Sequence, residues 1–452
     1  MALYTPRKHQ LEFRNFHRNS GRLGSLAWHG MGLGKTTSGL WEARQTLYEA
    51  RQSGATSPLC LVICPKSAIN TWKKECDSQT PDIFRQVKIV PYSQLHNAIK
   101  SVAMMDVRMI IFDESHYLKS PKTSRVKTLA AFLHKIGTTG NCFKGGRIIM
   151  ATGTPMPNGA HEIFTSWAIC CAHNLVQASE WLLDGKRYEN WEAGFTESKT
   201  VSWEEGWGKN KRKKTGTVHV GAAHEDMLQQ LLSPFVHFKR VSDCVDLPPK
   251  QEIHVDLNLP DDKLLKDANI ERPEPYMALV ERLSRAKTPH MLDWVEDYLT
   301  KGQENLLVFA MNRAPLEALK AKFPNDVRML TGSEKESERV QNFEDFKAGK
   351  FRVLAMTYKC GSESLNLQNC RVSLYHGWLW TDSGLKQAIA RTYRQGQAGS
   401  TLHYFLTSGE NDSRMLNIIR GKEEATTRVE DGLLAADREK SSQVKWTLDD
   451  LI

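Results

Sequence analysis

The chain has 452 residues, 40% hydrophobic and 25% charged, and 61 Lys and Arg against 52 Asp and Glu give a net charge of +9. That length allows two or three domains with cores of their own, and the balance excludes global disorder. No stretch approaches the roughly 18 apolar residues of a membrane helix, residues 1–10 lack the apolar run of a secretory leader, and nine irregularly spaced Cys exclude a dense disulfide framework. The expectation is a soluble intracellular protein with reduced thiols. The basic excess permits a polyanionic partner without identifying one.

Apolar runs alternate with helical patterns along the first third. Leu23–Trp28, Leu59–Cys64, Val107–Phe112 and Arg147–Ala151 read as strands, and Lys35–Tyr48 and Ala68–Glu75 as helices. Such alternation predicts an α/β fold with a parallel sheet covered on both faces. The last third repeats it. Leu306–Ala310, Val327–Leu330, Arg352–Met356, Arg371–Tyr375 and Thr401–Leu406 read as strands, with helices at Ala314–Lys322, Glu336–Lys347 and Gly384–Arg394.

Between them, residues 170–299 read as helical insertions and a linker. This segment holds Trp181, Trp191, Trp203 and Trp207 and an exposed loop around Glu204–Thr217 with the basic run Lys209–Lys214. The run reads either as a phosphate grip or as a solvated loop. The tryptophans read as the core of the insertion rather than as base-stacking platforms. Cys60 and Cys64 read as small core hydrophobes. The spacing of Cys170, Cys171, His173 and Cys244 does not suit zinc. The expected boundaries are therefore 1–169, 170–299, 300–424 and a tail at 425–452.

His29-Gly30-Met31-Gly32-Leu33-Gly34-Lys35-Thr36-Thr37 lies between a predicted strand and a predicted helix, as a phosphate-binding loop requires. Its glycines let backbone N–H groups and a helix N-terminus face an anion. Lys35 would reach the β- and γ-phosphates of ATP and the Thr36 hydroxyl would hold Mg²⁺. The strict pattern has Gly where this chain has His29. After the strand at Val107–Phe112, Asp113 supplies a metal-binding carboxylate and Glu114 a group to polarise the attacking water. In Gln387–Gln397, Arg391 and Arg394 are three residues apart, hence on one helix face, and could act as arginine fingers.

Taken in order, these residues resemble the Swi/Snf-type DNA translocases of helicase superfamily 2. Lys8-His9-Gln10 stands where that family has its adenine-reading Gln, and Met31–Thr37 matches motif I. Cys64-Pro65-Lys66-Ser67 through Trp72 and Glu75 resembles motif Ia, and Asp113-Glu114-Ser115-His116 motif II. Thr152-Gly153-Thr154-Pro155 with Asn158 and Glu162 resembles motif III. Leu247–Lys250 resembles the close of the first insertion, Leu307-Val308-Phe309 motif IV, and Thr331-Gly332, Arg339 and Phe346 the segment after it. Lys359 through Asn366–Gln368 resembles motif V, and Trp380 with Gln387–Gln397 motif VI.

The resemblance implies two RecA-like lobes with ATP between them and duplex DNA across both. It assigns Gln10 to adenine, and Met31, Gly32, Leu33, Gly34, Lys35, Thr36 and Thr37 to the nucleotide. Mg²⁺ falls to Thr36 and Asp113, and water activation to Glu114. His116 would couple that site to Thr152, Gly153 and Thr154, while Gln387, Arg391 and Arg394 would close over the γ-phosphate. Pro65, Lys66, Ser67, Thr357, Lys359 and Gly361 would meet DNA phosphates through backbone N–H groups and hydroxyls.

Four departures stand out: His29-Gly30 where Asp-Glu is usual, Ser364 for a Gly, Phe238-Lys239-Arg240 for a pair of Arg, and Ser115, shared with the annealing-helicase branch. The implied activity is ATP-driven translocation on duplex DNA. Alternatives are a strand-separating or fork-remodelling helicase and an ATP-gated DNA-binding scaffold. The length reads as a bare monomeric motor, steered where needed by a separate targeting protein. It would lie in a bacterial, phage or viral cytoplasmic setting, or a nuclear one if eukaryotic, with no membrane partner. Its positive charge should follow a DNA track.

Overall fold

The computed structural model describes residues 6–102, 105–139, 143–205, 212–259, 273–302, 304–361, 367–379 and 382–438. They form two compact units, one within residues 1–197, 219–245 and 424–452, the other within 198–218 and 246–423.

The first unit is built on a six-stranded sheet. Its strands are β1 (Gly24–His29), β2 (Pro58–Cys64), β3 (Val87–Pro91), β4 (Asp106–Asp113), β5 (Arg147–Thr152) and, after the hairpin strands β6 (Thr196–Glu205) and β7 (Arg212–Ala222), β8 (Val236–Lys239). The order is β3-β2-β4-β5-β1-β8, and every neighbouring pair is parallel. Alternate residues of each strand feed two separate cores. Leu26, Trp28, Ile63, Phe112 and Met150 enter one, while Ala27, Val62, Cys64, Ile111 and Ile149 enter the other. A strand buried on both faces reads as a continuous apolar run, which is why β1, β2, β4 and β5 were visible in the sequence while the half-buried β3 was not.

The second unit repeats the plan with β9 (Lys250–Asp256), β10 (Leu306–Ala310), β11 (Val327–Leu330), β12 (Val353–Thr357), β13 (Val372–Tyr375) and β14 (Thr401–Thr407). Their order is β11-β12-β10-β13-β14-β9, again all parallel. Leu307, Phe309, Leu354 and Met356 face one core, and Leu306, Val308, Val353 and Ala355 the other. Two parallel sheets covered by helices are the α/β architecture expected from the sequence.

The middle of the chain differs from its reading as insertion and linker. Residues 170–299 divide between the units, with β8 completing the first sheet and β9 the second. Four residues are too few to show a period in β8, and the edge strand β9, Lys-Gln-Glu-Ile-His-Val-Asp, is largely exposed and so carries little apolar signal. The expected exposed loop around Glu204–Thr217 is instead mostly strand: β6 pairs with β7. Residues 206–211, which include Trp207 and half of the basic run, lie outside the described residues, as do Ser364, Asn366 and Trp380. Trp191 is buried, packs edge-on against Phe164 and donates Nε1–H to Ala160 O at 3.0 Å. Trp181 stacks on Trp167 at 4.9 Å. Both pack in the first unit's core, as core residues rather than stacking platforms, but not in the core of a separate insertion. The last helix, Glu410–Arg438, passes from the second unit into the first at Glu424.

Each unit buries one ion pair of note. In the first, Glu42 is 1% exposed and pairs with Arg18 at 2.7 Å, which fastens the helix Lys8–Asn19 to the helix Lys35–Gln52. Burial raises the Glu42 carboxyl above its usual value despite the guanidinium beside it. In the second, Lys287 donates to Asp412 Oδ2 at 2.6 Å and to Leu406 O at 2.7 Å, and Asp412 also accepts from Ser408 N. Burial pulls the Lys287 ammonium below its usual value, and the Asp412 charge offsets part of that. Asp412→Ala leaves a buried, unpaired ammonium and should cost about 3–5 kcal/mol in urea denaturation, while the Lys287→Met/Asp412→Leu double variant should recover most of it. A single variant as stable as the parent would show that the pair is not sealed from water.

Histidines add a pH dependence. Burial holds His17 and His376 down to about 3 and His403 down to about 4, against a usual 6.5. Each is neutral when folded and readily protonated when unfolded. Their stabilising neutrality is complete above pH 6.5 and is lost as the pH falls toward those values. Melting temperature should therefore drop steadily below about pH 6.5. A flat profile from neutrality to about pH 4.5 would contradict the burial of these rings.

Candidate nucleotide-binding site

β1 ends at His29, and the helix Lys35–Gln52 begins after Gly34, whose φ of +74° is left-handed. That conformation suits a residue without Cβ, and a Cβ there would also press on the Gln10 side chain. No side chain caps the helix start, so its first N–H groups face the loop. Lys35 Nζ donates to His29 O at 3.0 Å across the loop. Gly32 is exposed, Met31, Gly34, Lys35 and Thr36 are half-buried, and Leu33 and Thr37 are buried. Gln10 is buried, with Nε2 donating to Gly34 O at 3.3 Å and Oε1 accepting from Arg7 N at 2.9 Å. His9 sets its ring Nε2 2.8 Å from Leu33 O. The helix Lys8–Asn19 is thus tied directly to the phosphate loop.

Parallel pairing brings two more loops to this edge. β5 lies beside β1 with Thr152 opposite Trp28, and β4 beside β5 with Asp113 opposite Ala151. A Cβ on Gly153 would stand 3.3 Å from His29 O and 3.7 Å from Lys35 Nζ, so the Thr152–Thr154 segment lies against the phosphate loop. Asp113 is buried. Its Oδ2 accepts from Trp72 Nε1 at 2.7 Å, and Oδ1 from Glu114 N at 3.1 Å. Burial first, and the neighbouring Glu114 second, raise the Asp113 carboxyl to about 6, while Trp72 and Lys35 act in the opposite direction. Tyr92 donates its hydroxyl to Asp113 O at 2.9 Å.

Glu114 has φ +48°, a left-handed conformation that costs a non-glycine residue on the order of 1 kcal/mol or more. The turn brings its Oε2 to 3.2 Å from His116 Nδ1. The same nitrogen is 3.0 Å from Thr152 Oγ1, which accepts from Thr154 N at 3.1 Å. A continuous polar chain therefore runs from Glu114 through His116 to Thr152 and Thr154. Behind it, Glu162 accepts from Asn158 N and Nδ2, both at 2.8 Å, and pairs with Lys119 at 3.0 Å. For Mg²⁺ the donor set fits: a Thr hydroxyl in the first helical turn and a positioned carboxylate are the hard oxygens that cation takes.

The candidate DNA residues occupy the corresponding edges. Pro65, Lys66 and Ser67 follow β2, with Lys66 and Ser67 exposed. Pro65 is a correction: it is buried, has no N–H to offer a phosphate, and its carbonyl accepts from Ala68 N at 3.0 Å, so it shapes the turn. In the second unit Thr357 ends β12, and Lys359 and Gly361 lie in the short helix Tyr358–Gly361, with Lys359 exposed.

The arginine pair is the second correction. The helix Asp382–Ile389 ends before Arg391 and Arg394, which sit on a run of turns rather than on one helix face. Arg391 O accepts from Leu367 N, and Gln397 Nε2 donates to Thr392 O and Cys370 O. These tertiary bonds take carbonyls that a longer helix would have used, and Gly396 at φ +89° completes the turn. Gln387 remains on the helix and is buried.

Trp72, Tyr92, His9 and His237 were not singled out as site residues by the sequence. Only His9, next to Gln10, and Trp72, within the motif Ia match, stood near a signal. Tyr92 and His237 reach the site from distant strands that no local pattern marks.

The sequence pattern of the helicase conserved C-terminal domain matches residues 290–396. The DNA annealing helicase and endonuclease ZRANB3 of Bos taurus is 23% identical over 462 residues, covering 92% of this chain and 40% of that protein. The SWI/SNF-related matrix-associated actin-dependent regulator of chromatin subfamily A-like protein 1 of Xenopus tropicalis is 24% identical over 432 residues, covering 87% and 41%. This chain thus spans about 40% of the length of the curated relatives it matches. Among solved structures, the Sulfolobus solfataricus SWI2/SNF2 ATPase core in complex with dsDNA aligns over 98% of both chains at 17% identity and a TM-score of 0.39. The helicase C-terminal pattern thus lies in the second unit, and along about nine-tenths of its length the chain is similar to annealing-helicase and SWI/SNF-related proteins.

Proposed function

We propose that the chain hydrolyses ATP and uses the cycle to move along double-stranded DNA. The observation that carries the reading is the polar chain from Glu114 through His116 to Thr152 and Thr154, set beside Lys35 at one edge of a parallel sheet. Ligands of open α/β sheets bind at the carboxyl ends of the strands, where these groups lie.

On this reading the loop N–H groups and Lys35 bind the β- and γ-phosphates, and Gln10 meets adenine. Thr36 and Asp113 would hold Mg²⁺, which would supply charge neutralisation at the phosphates. Glu114 orients a water and draws its proton as the water attacks the γ-phosphorus, while the bond to the bridging oxygen breaks. Trp72 holds one Asp113 oxygen so that the carboxylate keeps its direction. His116 senses Glu114 on one side and Thr152 on the other, which gives hydrolysis a route to the Thr152–Thr154 segment. Gln387, Arg391 and Arg394 carry the transition-state charge. Lys66, Ser67, Thr357, Lys359 and Gly361 hold DNA phosphates without reading bases. The name of one relative favours one further reading, strand annealing. Triplex displacement without annealing supports translocation, and annealing without displacement supports the other.

Glu114→Gln should lower kcat by about 10²–10⁴ while leaving ATP affinity within a few fold. Normal turnover in that variant would remove Glu114 from the mechanism. Duplex DNA should stimulate the ATPase, and the DNA concentration needed should rise steeply with salt, because the contacts are to phosphates. A turnover rate indifferent to DNA at every salt concentration would overturn the motor.

A further inference from the structure

Two of the departures noted in the sequence, His29-Gly30 and Phe238–Arg240, meet in space. β8 runs parallel to β1 with His29 opposite Lys239, and Gly30 N donates to Lys239 O at 2.9 Å. A Cβ on Gly30 would stand 2.5 Å from Val241 Cγ2, so the loop starts in close contact with this segment. One side-chain link joins the two: His29 Nε2 lies 2.7 Å from His237 Nδ1, wholly buried. Phe13 closes over the pair, its ring 5.3 Å from His29 and 5.7 Å from His237.

We propose that His237 is a positioning residue for nucleotide binding: through His29 it fixes the start of the phosphate loop. The inference rests on the ATPase reading above. The lever is short. His29 O is the acceptor that holds Lys35 Nζ at 3.0 Å, so the orientation of residue 29 sets where the lysine starts. His29 Nδ1 meets no hydrogen-bond partner among the described residues. A buried N–H without an acceptor is rarer than a bare lone pair, so Nε2 is the donor and His237 Nδ1 the acceptor. A proton on His237 Nδ1 removes the acceptor and sets two N–H groups against each other at 2.7 Å.

The surroundings oppose that proton. Lys35 faces His29 from the loop, Lys239 from β8, and His9 and Arg7 from the helix Lys8–Asn19 and its start. The one nearby carboxylate, Glu12, is engaged by Lys239 at 3.0 Å. Burial, then His237, then Lys35 hold the His29 imidazole well below its usual value. His29 is therefore neutral through the usual imidazole range, and the hydrogen bond to His237 is in place where nucleotide binding is measured.

The test measures the Kd of a fluorescent ADP and the KM and kcat for ATP at neutral pH. His237→Leu should raise Kd and KM about tenfold or more, with kcat moving less. His237→Asn places an amide oxygen where Nδ1 was and should restore both to within a few fold of the parent. A folded Leu variant with the parent's constants would overturn the proposal. So would an Asn variant that binds no better than the Leu variant, which keeps the test decisive even if the Leu variant folds poorly. A parent that binds ADP without turning over ATP would sink the motor reading alone, because the ADP Kd still reads this one. A parent that binds no nucleotide would overturn both.

Discussion

Parallel pairing sets Trp28 opposite Thr152 and Asp113 opposite Ala151, and three loops leave the first sheet at one edge as a result. Everything polar in the candidate site depends on that register. A slip of one residue would turn alternate side chains to the other core and carry Asp113 away from Lys35. The register is held by burial on both faces, with Leu26, Trp28 and Ile148 on one side and Ala27, Ile149 and Ala151 on the other. Apolar packing therefore fixes the placement of charges that do not themselves contribute to the core.

Those charges are costly to keep. Asp113 is buried, and its raised carboxyl shows that Trp72 and Lys35 do not fully offset desolvation and the adjoining Glu114. Glu114 adds a left-handed backbone. Strain and desolvation at the same two residues, where among the other described non-glycine residues only His224 and Asn258 adopt that conformation, favour a role in chemistry over one in folding. The Lys287–Asp412 pair in the second unit is the contrast. It is as deeply buried, but Leu406 O and Ser408 share in its hydrogen bonds, and neither residue has a left-handed backbone.

How much of this was legible in the sequence follows from how each element is stabilised. β10 and β11 match their predicted bounds residue for residue, β10 being apolar throughout and β11 apolar but for the half-buried Arg328. The turn before Lys35 was legible because Gly32 and Gly34 adopt a left-handed backbone that few other residues tolerate. The end of the helix at Ile389 was not, because it depends on Leu367 and Gln397 taking carbonyls through tertiary bonds. β8 and β9 were missed for opposite reasons, one being too short to show a period and the other too exposed to need apolar residues.

β8 shows why sequence distance limits such readings at a site. His237 lies 208 residues from His29, yet they share a hydrogen bond, and Lys239 accepts the first N–H of the phosphate loop. A motif records what a loop must be in order to surround a ligand. It does not record what the loop rests on, since many side chains can provide a wall. Where His29 replaces a glycine of the strict phosphate-loop pattern, the loop gains an imidazole that must be buried and satisfied, and the wall must change with it. The departure at residue 29 and the histidine at 237 are therefore one feature, visible in the sequence as two unrelated residues and joined only by the sheet.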